Sequence, residues 1–429
     1  MSIESQRHVP AILPRSGRVA LIGTSLVQQN HWADARNIQT SARGWMSWAE
    51  VLSGGRFRTP VFHDPRVIPG WEPSGQPGRT RGFSGFNFGV SGQKAIEIER
   101  RLDRVLAADF DIIIVDAGTN DMMVETKETI LAIRERICRR LLDAGKTVLL
   151  LPVLARGTEK WVAGSAPRAK AHWINRMGLA FADAHVNCHV LDWNEAWVDP
   201  MSPDGSPRDG YSNDGTHFSI LGGYHVGKWL AGRLQQILPP LPVSLHSRDD
   251  RYDPVDNPLG CLFPNPFLDG EGSSGKCVSL EGSIMPAGLC RRNDGSGNWQ
   301  RLAVGVGEGR VVFDTPQSLS AGTWVEAACQ VEVSASSCWR QISLELVDPS
   351  ETGLTATAMA PPAESFPFLY PTETWTGVLR TPPIRMAASG DRVRLTLRTR
   401  LADGQGDAAL KVSAVELRPV LSPLLSSGV

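Results

Sequence analysis

The sequence predicts a doubly wound α/β domain followed by an antiparallel β-sandwich, and three observations carry that prediction. Short apolar runs in the first half are continuous rather than alternating, as in parallel strands covered on both faces. Stretches with helical spacing separate these runs. Beyond about Leu238 the helical spacing stops and short segments of alternating polarity take over.

The apolar runs are Arg18–Ile22 (RVALI), Ile112–Val115 (IIIV) and Thr147–Val153 (TVLLLPV). Between them, Gln93–Ala108 carries Ile96, Ile98, Leu102, Val105 and Leu106 near helical spacing. Thr126–Ala144 carries the stripe Ile130, Ile133, Ile137 and Leu141, and Gly145 stands where a helix commonly stops. Pro167–His185 and Ser219–Gln236 read as the remaining helices. Leu238–Asn265 has the proline-rich, polar composition of a linker. After it, Arg310–Phe313, Trp324–Val333, Gln341–Val347, Arg392–Leu397 and Ala409–Leu417 read as strands between Gly, Ser, Asp and Pro turns. The expected division is an N-terminal extension (1–17), an α/β domain (18–240), a linker (241–262), a β-sandwich accessory domain (263–420) and a tail (421–429).

Composition narrows the function classes. Over 429 residues, 44 Lys and Arg face 45 Asp and Glu, a formal net charge of −1. That balance supplies no overall field for nucleic acid or an anionic membrane, so no nucleic-acid partner is expected. No apolar run approaches the roughly 18–20 residues of a membrane span. Met1–Arg18 lacks the apolar core of a signal peptide, which makes the cytoplasm the default location. Proteins released by lysis or built into phage particles share that lack. The seven cysteines form no CxxC pair, so zinc and redox motifs find no support and reduced thiols are expected.

Four short blocks carry the chemistry. Gly23-Thr24-Ser25-Leu26 follows the first apolar run, Asn87-Phe88-Gly89-Val90-Ser91-Gly92 precedes a helix, and Gly118-Thr119-Asn120-Asp121 follows the second run. Asp214-Gly215-Thr216-His217 precedes the last helix of this half. Three of these lie at strand ends where α/β sheets place their ligands. A serine at such a turn is accessible, a histidine can take its proton, and a carboxylate can hold the imidazole in the required tautomer. Asp214 and His217 offer both from one segment. The Ser25 and Gly92 backbone N–H groups and the Asn120 side-chain amide are suited to hold the oxygen of a tetrahedral intermediate, where losing one donor typically costs about 2.7–4 kcal/mol.

In order, spacing and flanking structure the four blocks resemble those of the SGNH hydrolases, the GDSL-type esterases and lipases, over roughly Arg18–Leu238. The resemblance implies a flavodoxin-like three-layer α/β/α fold. It also implies Ser25 as nucleophile, His217 as base, Asp214 as its orienting acid, and Gly92 and Asn120 with Ser25 in the oxyanion hole. No metal or organic cofactor is expected. One departure is evident: the usual Gly-Asp-Ser is here Gly23-Thr24-Ser25. Threonine keeps an oxygen acceptor for the turn, so fold and activity are expected to survive.

Other features read as packing. Ser91 does not fit the Gly-x-Ser-x-Gly elbow, and Gly92-Gln93-Lys94 lacks the spacing of a phosphate loop. His31, His63, His172, His185, His189 and His225 are expected to be packed or surface residues. The insertion Gln28–Phe86 holds Trp45, Trp48 and Leu52 as a core stripe, and an irregular loop at Pro69–Gly85 that leads into the Gly92 block. Trp193, Trp197 and Tyr211 are open to packing or to stacking on a sugar ring. The second half, opening on Asn265-Pro266-Phe267, loosely resembles the jelly roll of a carbohydrate-binding module, with Trp299, Trp324, Trp339 and Trp375 as candidates for a sugar platform. The expectation is a serine esterase acting on a small-molecule or glycan ester, O-acetyl groups on carbohydrate included, with polysaccharide as a partner of the second half. The alternatives are a lipase or lysophospholipase, and a catalytically silent glycan-binding or phage tail-associated protein.

Overall fold

The computed structural model describes residues 18–423 apart from 35, 65–82, 239–246, 271–277, 364–369, 391 and 403–407. The segments 1–17 and 424–429, and most of the expected loop Pro69–Gly85, lie outside the described residues. The first half runs β1 (Val19–Gly23), α1 (Ser25–Gln28), β2 (His31–Ala33), β3 (Asn37–Ser41), α2 (Trp45–Leu52), β4 (His63–Asp64), β5 (Phe83–Ser84), β6 (Asn87–Gly89), α3 (Ala95–Glu99), α4 (Leu102–Leu106), β7 (Ile112–Val115), α5 (Lys127–Asp143), β8 (Thr147–Leu150), α6 (Ala166–Asp183), β9 (Cys188–Val190), α7 (Asn194–Trp197) and α8 (Ile220–Ile237). Strands β6, β1, β7, β8 and β9 lie side by side in that order and pair in parallel; antiparallel β5 and β4 extend the β6 edge. This is the flavodoxin-like 2-1-3-4-5 order, with its switch point beside β1.

The continuous apolar runs behave as expected: every residue of β1, β7 and β8 is buried. One core cluster packs α3, α4 and α5 on one face of the sheet, and a second packs α2, α7 and α8 on the other. Helix α5 starts on the Thr126 hydroxyl, which accepts from the Thr129 N–H at 3.1 Å. The expected single helix over Gln93–Ala108 is instead two short ones. They break because the Arg101 side chain turns into the protein: its guanidinium donates to Gln93 Oε1 at 2.7 Å, to the Gly23 carbonyl at 3.0 Å and to the Phe88 carbonyl.

The second half contains β10 (Ser279–Arg291), β11 (Asn298–Phe313), β12 (Trp324–Val333), β13 (Trp339–Val347), β14 (Thr355–Ala360), β15 (Trp375–Arg380), β16 (Ile384–Arg385), β17 (Arg394–Leu401) and β18 (Ala408–Val420). These strands curl around one apolar core as a β-sandwich. Their pairing with one another is antiparallel. The expected strand at Arg310–Phe313 is the end of the longer β11. Trp339 and Trp375 are core residues at 0% and 4% exposure, which removes them as sugar platforms, and the Trp299 ring carries the Arg292 guanidinium 5.1 Å above it.

The insertion joins the two halves. Strand β3 pairs in parallel with β14, Thr355 opposite Asn37 and Ala356 opposite Ile38, and β2 pairs with β3, so both extend the sandwich sheet. The Met359 N–H donates to Thr40 Oγ1 at 2.9 Å. Helix α2 follows and is buried on two sides: Trp45 meets Trp193 at 5.5 Å in the α/β core, whereas Trp48 meets Tyr224 and Trp375, each at 5.1 Å and nearly perpendicular. The stripe is core, as expected, but it divides between two cores. Beside it Glu326 accepts from Arg58 at 2.9 Å and from Arg380 at 2.7 Å. Six described cysteines are unbridged, and no described helix is long and apolar enough to cross a membrane.

Two measurements check this joint. Trp48→Ala leaves a cavity shared by both halves, so a loss of about 3–5 kcal/mol is expected in urea denaturation, with both halves unfolding in one transition. Glu50 lies against the same joint, where burial pushes its carboxyl up to about 8 despite the Thr59 N–H and Arg58. The folded state therefore holds a proton that the unfolded chain releases near pH 4.5, and stability falls as pH rises from about 4.5 to about 8. In Glu50→Gln this decline is expected to disappear, read as unfolding free energy at pH 5 against pH 8.5.

Candidate active site

The four blocks converge at the C-terminal edge of the parallel sheet. Gly23 ends β1 because its backbone passes close to Asp116: a Cβ there would lie 2.8 Å from the Asp116 carbonyl oxygen and 2.7 Å from a Val27 methyl. Thr24 then caps α1, its hydroxyl accepting from the Leu26 N–H at 3.3 Å and donating to Asp116 Oδ2 at 2.7 Å. Ser25 opens the helical turn and is only partly buried. The turn survives the loss of the usual aspartate because Asp116, one residue beyond β7, supplies a carboxylate from behind. Desolvation raises the Asp116 carboxyl above its ordinary range, opposed by the Thr24 hydroxyl and N–H and by the charges of Arg134 and Arg156.

His217 comes from the loop before α8. Its Nε2 lies 2.9 Å from Ser25 Oγ and its Nδ1 lies 2.8 Å from Asp214 Oδ2. The Asp214 Oδ1 atom accepts from the His217 N–H at 2.8 Å and the Thr216 N–H at 3.0 Å, so one carboxylate fixes both the backbone and the ring of the same turn. Partial burial works against the Asp214 charge, but the His217 and Thr216 donors outweigh it and bring the carboxyl down to about 2. An acceptor at Nδ1 places the ring proton there and leaves Nε2 to accept the Ser25 proton.

Gly92 has a backbone φ of +78°, a conformation that side chains strain against, and its N–H makes no hydrogen bond among the described residues. Asn120 donates one amide N–H to the Gln93 carbonyl at 2.9 Å, which links the third block to the second and leaves its other N–H available. Asp121 ties the same blocks from beneath, accepting from the Ala95 N–H with both oxygens at 3.1 Å; desolvation, partly offset by that bond, raises its carboxyl to about 6. Ser25, Asp214 and His217 are thus brought into direct contact; the second block is tied to the first by the Val90 N–H, which donates to the Gly23 carbonyl at 3.0 Å, and Asn120 joins that block through Gln93.

Of the other histidines, His31 and His225 pack against neighbours whereas His172 is exposed. His31 is buried with Asn87 Nδ2 2.9 Å from its Nδ1, and His225 stacks on Tyr211 at 5.0 Å. Trp193, Trp197 and Tyr211 are buried, so none is open for stacking on a sugar. Sequence reasoning missed Asp116, Gln93, the buried Arg101 and Arg134, and the half-buried Arg156. A signal was present for two of them: Asp116 and Arg156 each end an apolar run at the sheet edge where the blocks lie. Among the described residues no group of three His, Cys, Asp or Glu is placed to hold a metal ion.

A hydroxyl, an imidazole and a carboxylate bonded in series beside free N–H donors are the equipment of a serine hydrolase. Residues 21–223, just under half of the chain, match the model of the GDSL-like Lipase/Acylhydrolase family, the family whose four blocks this segment resembles. Among solved structures, a GDSL-like lipase from Bacteroides thetaiotaomicron is similar at 16% identity, covering 51% of this chain and 88% of its own, with a TM-score of 0.35. The acetyl xylan esterase AlAXEase is similar at 14% identity over 51% of this chain and 99% of its own, TM-score 0.36. A carbohydrate esterase family 3 protein from Talaromyces cellulolyticus is similar at 17% identity over 51% and 96%, TM-score 0.34. No curated protein matches the chain.

Replacing Asp214 by Asn removes the acceptor that sets the His217 tautomer. The expected outcome is a kcat for a short aryl ester lower by roughly 10³–10⁴-fold, with the near-UV circular dichroism unchanged.

Proposed function

We propose that this hydrolase cleaves carboxylic esters through an acyl-enzyme on Ser25. The observation that carries the reading is the unbroken series from Asp214 Oδ2 through the His217 ring to Ser25 Oγ, at 2.8 and 2.9 Å. In the first half-reaction Ser25 Oγ attacks the ester carbonyl carbon while its proton passes to His217 Nε2. The carbonyl oxygen, now negative, is held by the N–H groups of Ser25 and Gly92 and by the second amide N–H of Asn120. Collapse expels the alcohol, which takes the proton from His217. Water then attacks the acyl carbon with His217 again as base, and the acid leaves. Asp214 stays ionised throughout and stabilises the imidazolium.

The finer reading is an O-acetyl group on a carbohydrate. It is supported by the sandwich that the hydrolase part carries against it, with polysaccharide as that sandwich's partner. Of the tryptophans first considered as platforms, Trp299 and Trp324 keep partial exposure.

A fluorophosphonate probe and a panel of esters test both levels. Wild type is expected to label and Ser25→Ala not to label, with kcat lower by roughly 10⁶-fold. Unlabelled, inactive wild type would mean a silent binding protein. Acetate release from acetylated glycans supports the carbohydrate reading; cleavage of aryl acetates alone sinks it, and a steep preference for long acyl chains points to a lipase.

A further inference from the structure

We infer that Arg156 is a positioning residue of the site: one partly buried guanidinium holds the oxyanion turn and the base turn in a single geometry. The inference rests on the esterase reading above and deepens it.

Each of three site residues follows a Gly-Thr pair: Gly23-Thr24 before Ser25, Gly118-Thr119 before Asn120, and Gly215-Thr216 before His217. All three threonines are buried, at 0, 4 and 4% exposure, although the residue after each is only partly buried. A solvated turn has no need of a buried hydroxyl, so what each hydroxyl meets is informative. Thr24 donates to Asp116. Thr119 and Thr216 each accept from Arg156, from Nη2 and Nη1 respectively, both at 2.7 Å. These two threonines belong to segments 97 residues apart in sequence, and the two arms of one planar group span them.

Arg156 is itself held. Its guanidinium carbon lies 5.4 Å from the buried Trp161 ring, its carbonyl accepts from Arg168 Nη2 at 2.9 Å, and the next residue's N–H donates to the Gly215 carbonyl at 2.9 Å. Burial works against its charge, whereas Asp116 and Asp214 favour it. Trp161, Arg168 and Gly215, which hold it, have no part in proton transfer, and it presents a fixed fork to the residues immediately before Asn120 and His217. A lysine supplies the same charge without the fork. Displacement of a reacting group by about 1 Å can cost on the order of 10²-fold in rate.

The experiment uses the full chain, an aryl acetate and active-site titration with a fluorophosphonate, so that rates are per competent molecule. Arg156→Lys is expected to lower kcat by about 10²-fold with KM within about twofold. Thr119→Val and Thr216→Val are each expected to lower kcat in the Arg156 background and to cost nothing further in Arg156→Lys. Wild-type kcat in Arg156→Lys, or threonine effects that multiply undiminished there, overturns the inference while the esterase reading stands. If Arg156→Lys does not fold, Thr119→Val/Thr216→Val decides: lower kcat at unchanged KM supports it, and wild-type kcat overturns it. Wild type that neither labels nor hydrolyses overturns both readings.

Discussion

The constraint on which the site depends is the unpaired backbone at the C-terminal edge of the parallel sheet. The strands stop there, but the chain does not reach water at once, and each buried carbonyl needs a donor. This protein supplies donors largely from arginine. Arg101 serves the carbonyls of Gly23, at the end of β1, and Phe88, within β6; Arg134 serves those of Ala117 and Leu151, beyond β7 and β8. From the insertion, Arg43 Nε serves the Phe218 carbonyl at 2.7 Å, next to His217. A guanidinium suits this task because its five donors lie in a fixed plane and reach two strands at once. The cost is buried positive charge, and Asp116 and Asp121 lie close enough to favour the Arg134 cation. The sheet edge is therefore a fixed set of charges and donors, on which the four turns rest.

The same economy of contacts joins the halves. Helix α2 lies beside the nucleophile turn, where Trp45 Nε1 donates to the Leu26 carbonyl at 2.8 Å and the Met46 N–H donates to Asn30 Oδ1 at 2.7 Å. Three residues on, Trp48 enters the core shared with the sandwich, and Gly377 of β15 abuts Val51 so closely that a Cβ there would lie 2.5 Å from a Val51 methyl. The sandwich thus supports the helix against which the Ser25 turn packs. This gives the second half a mechanical relation to the site independent of anything it binds.

Legibility in the sequence follows the range of the interactions. The continuous apolar runs revealed the parallel strands, and helix α5 could be read to its cap because Thr126, the Ile stripe and Gly145 are local signals. The blocks around Ser25, Gly92, Asn120 and His217 were visible as turns after strands or before helices. Their convergence was not, since Ser25 and His217 are 192 residues apart, and only the resemblance supplied it. The break between α3 and α4 was hidden because its cause is tertiary: Arg101 abandons the helix surface for carbonyls on two strands. The pairing of β3 with β14 was hidden for the same reason, as was the division of Trp45 and Trp48 between two cores. A helical stripe says that a face is buried, not against what.

The threonine before the nucleophile shows how one local departure spreads. An ionised aspartate at that position only accepts hydrogen bonds, so it can cap the turn and needs donors around it. A threonine hydroxyl both accepts and donates, so here it caps the turn by accepting from Leu26 while its O–H requires an acceptor behind it. Asp116 is that acceptor, and because it is buried its charge requires cations nearby. Arg134 and Arg156 meet that requirement, and both are already committed to the sheet edge or to the Thr119 and Thr216 turns. The carboxylate behind the nucleophile turn stands at the end of β7, where the Thr24 hydroxyl reaches it at 2.7 Å, two residues before the Gly118-Thr119-Asn120 turn. From there its charge favours the Arg156 cation, whose two arms reach the Thr119 and Thr216 hydroxyls, so the turn that carries Ser25 and the turns before Asn120 and His217 share one set of interior charges.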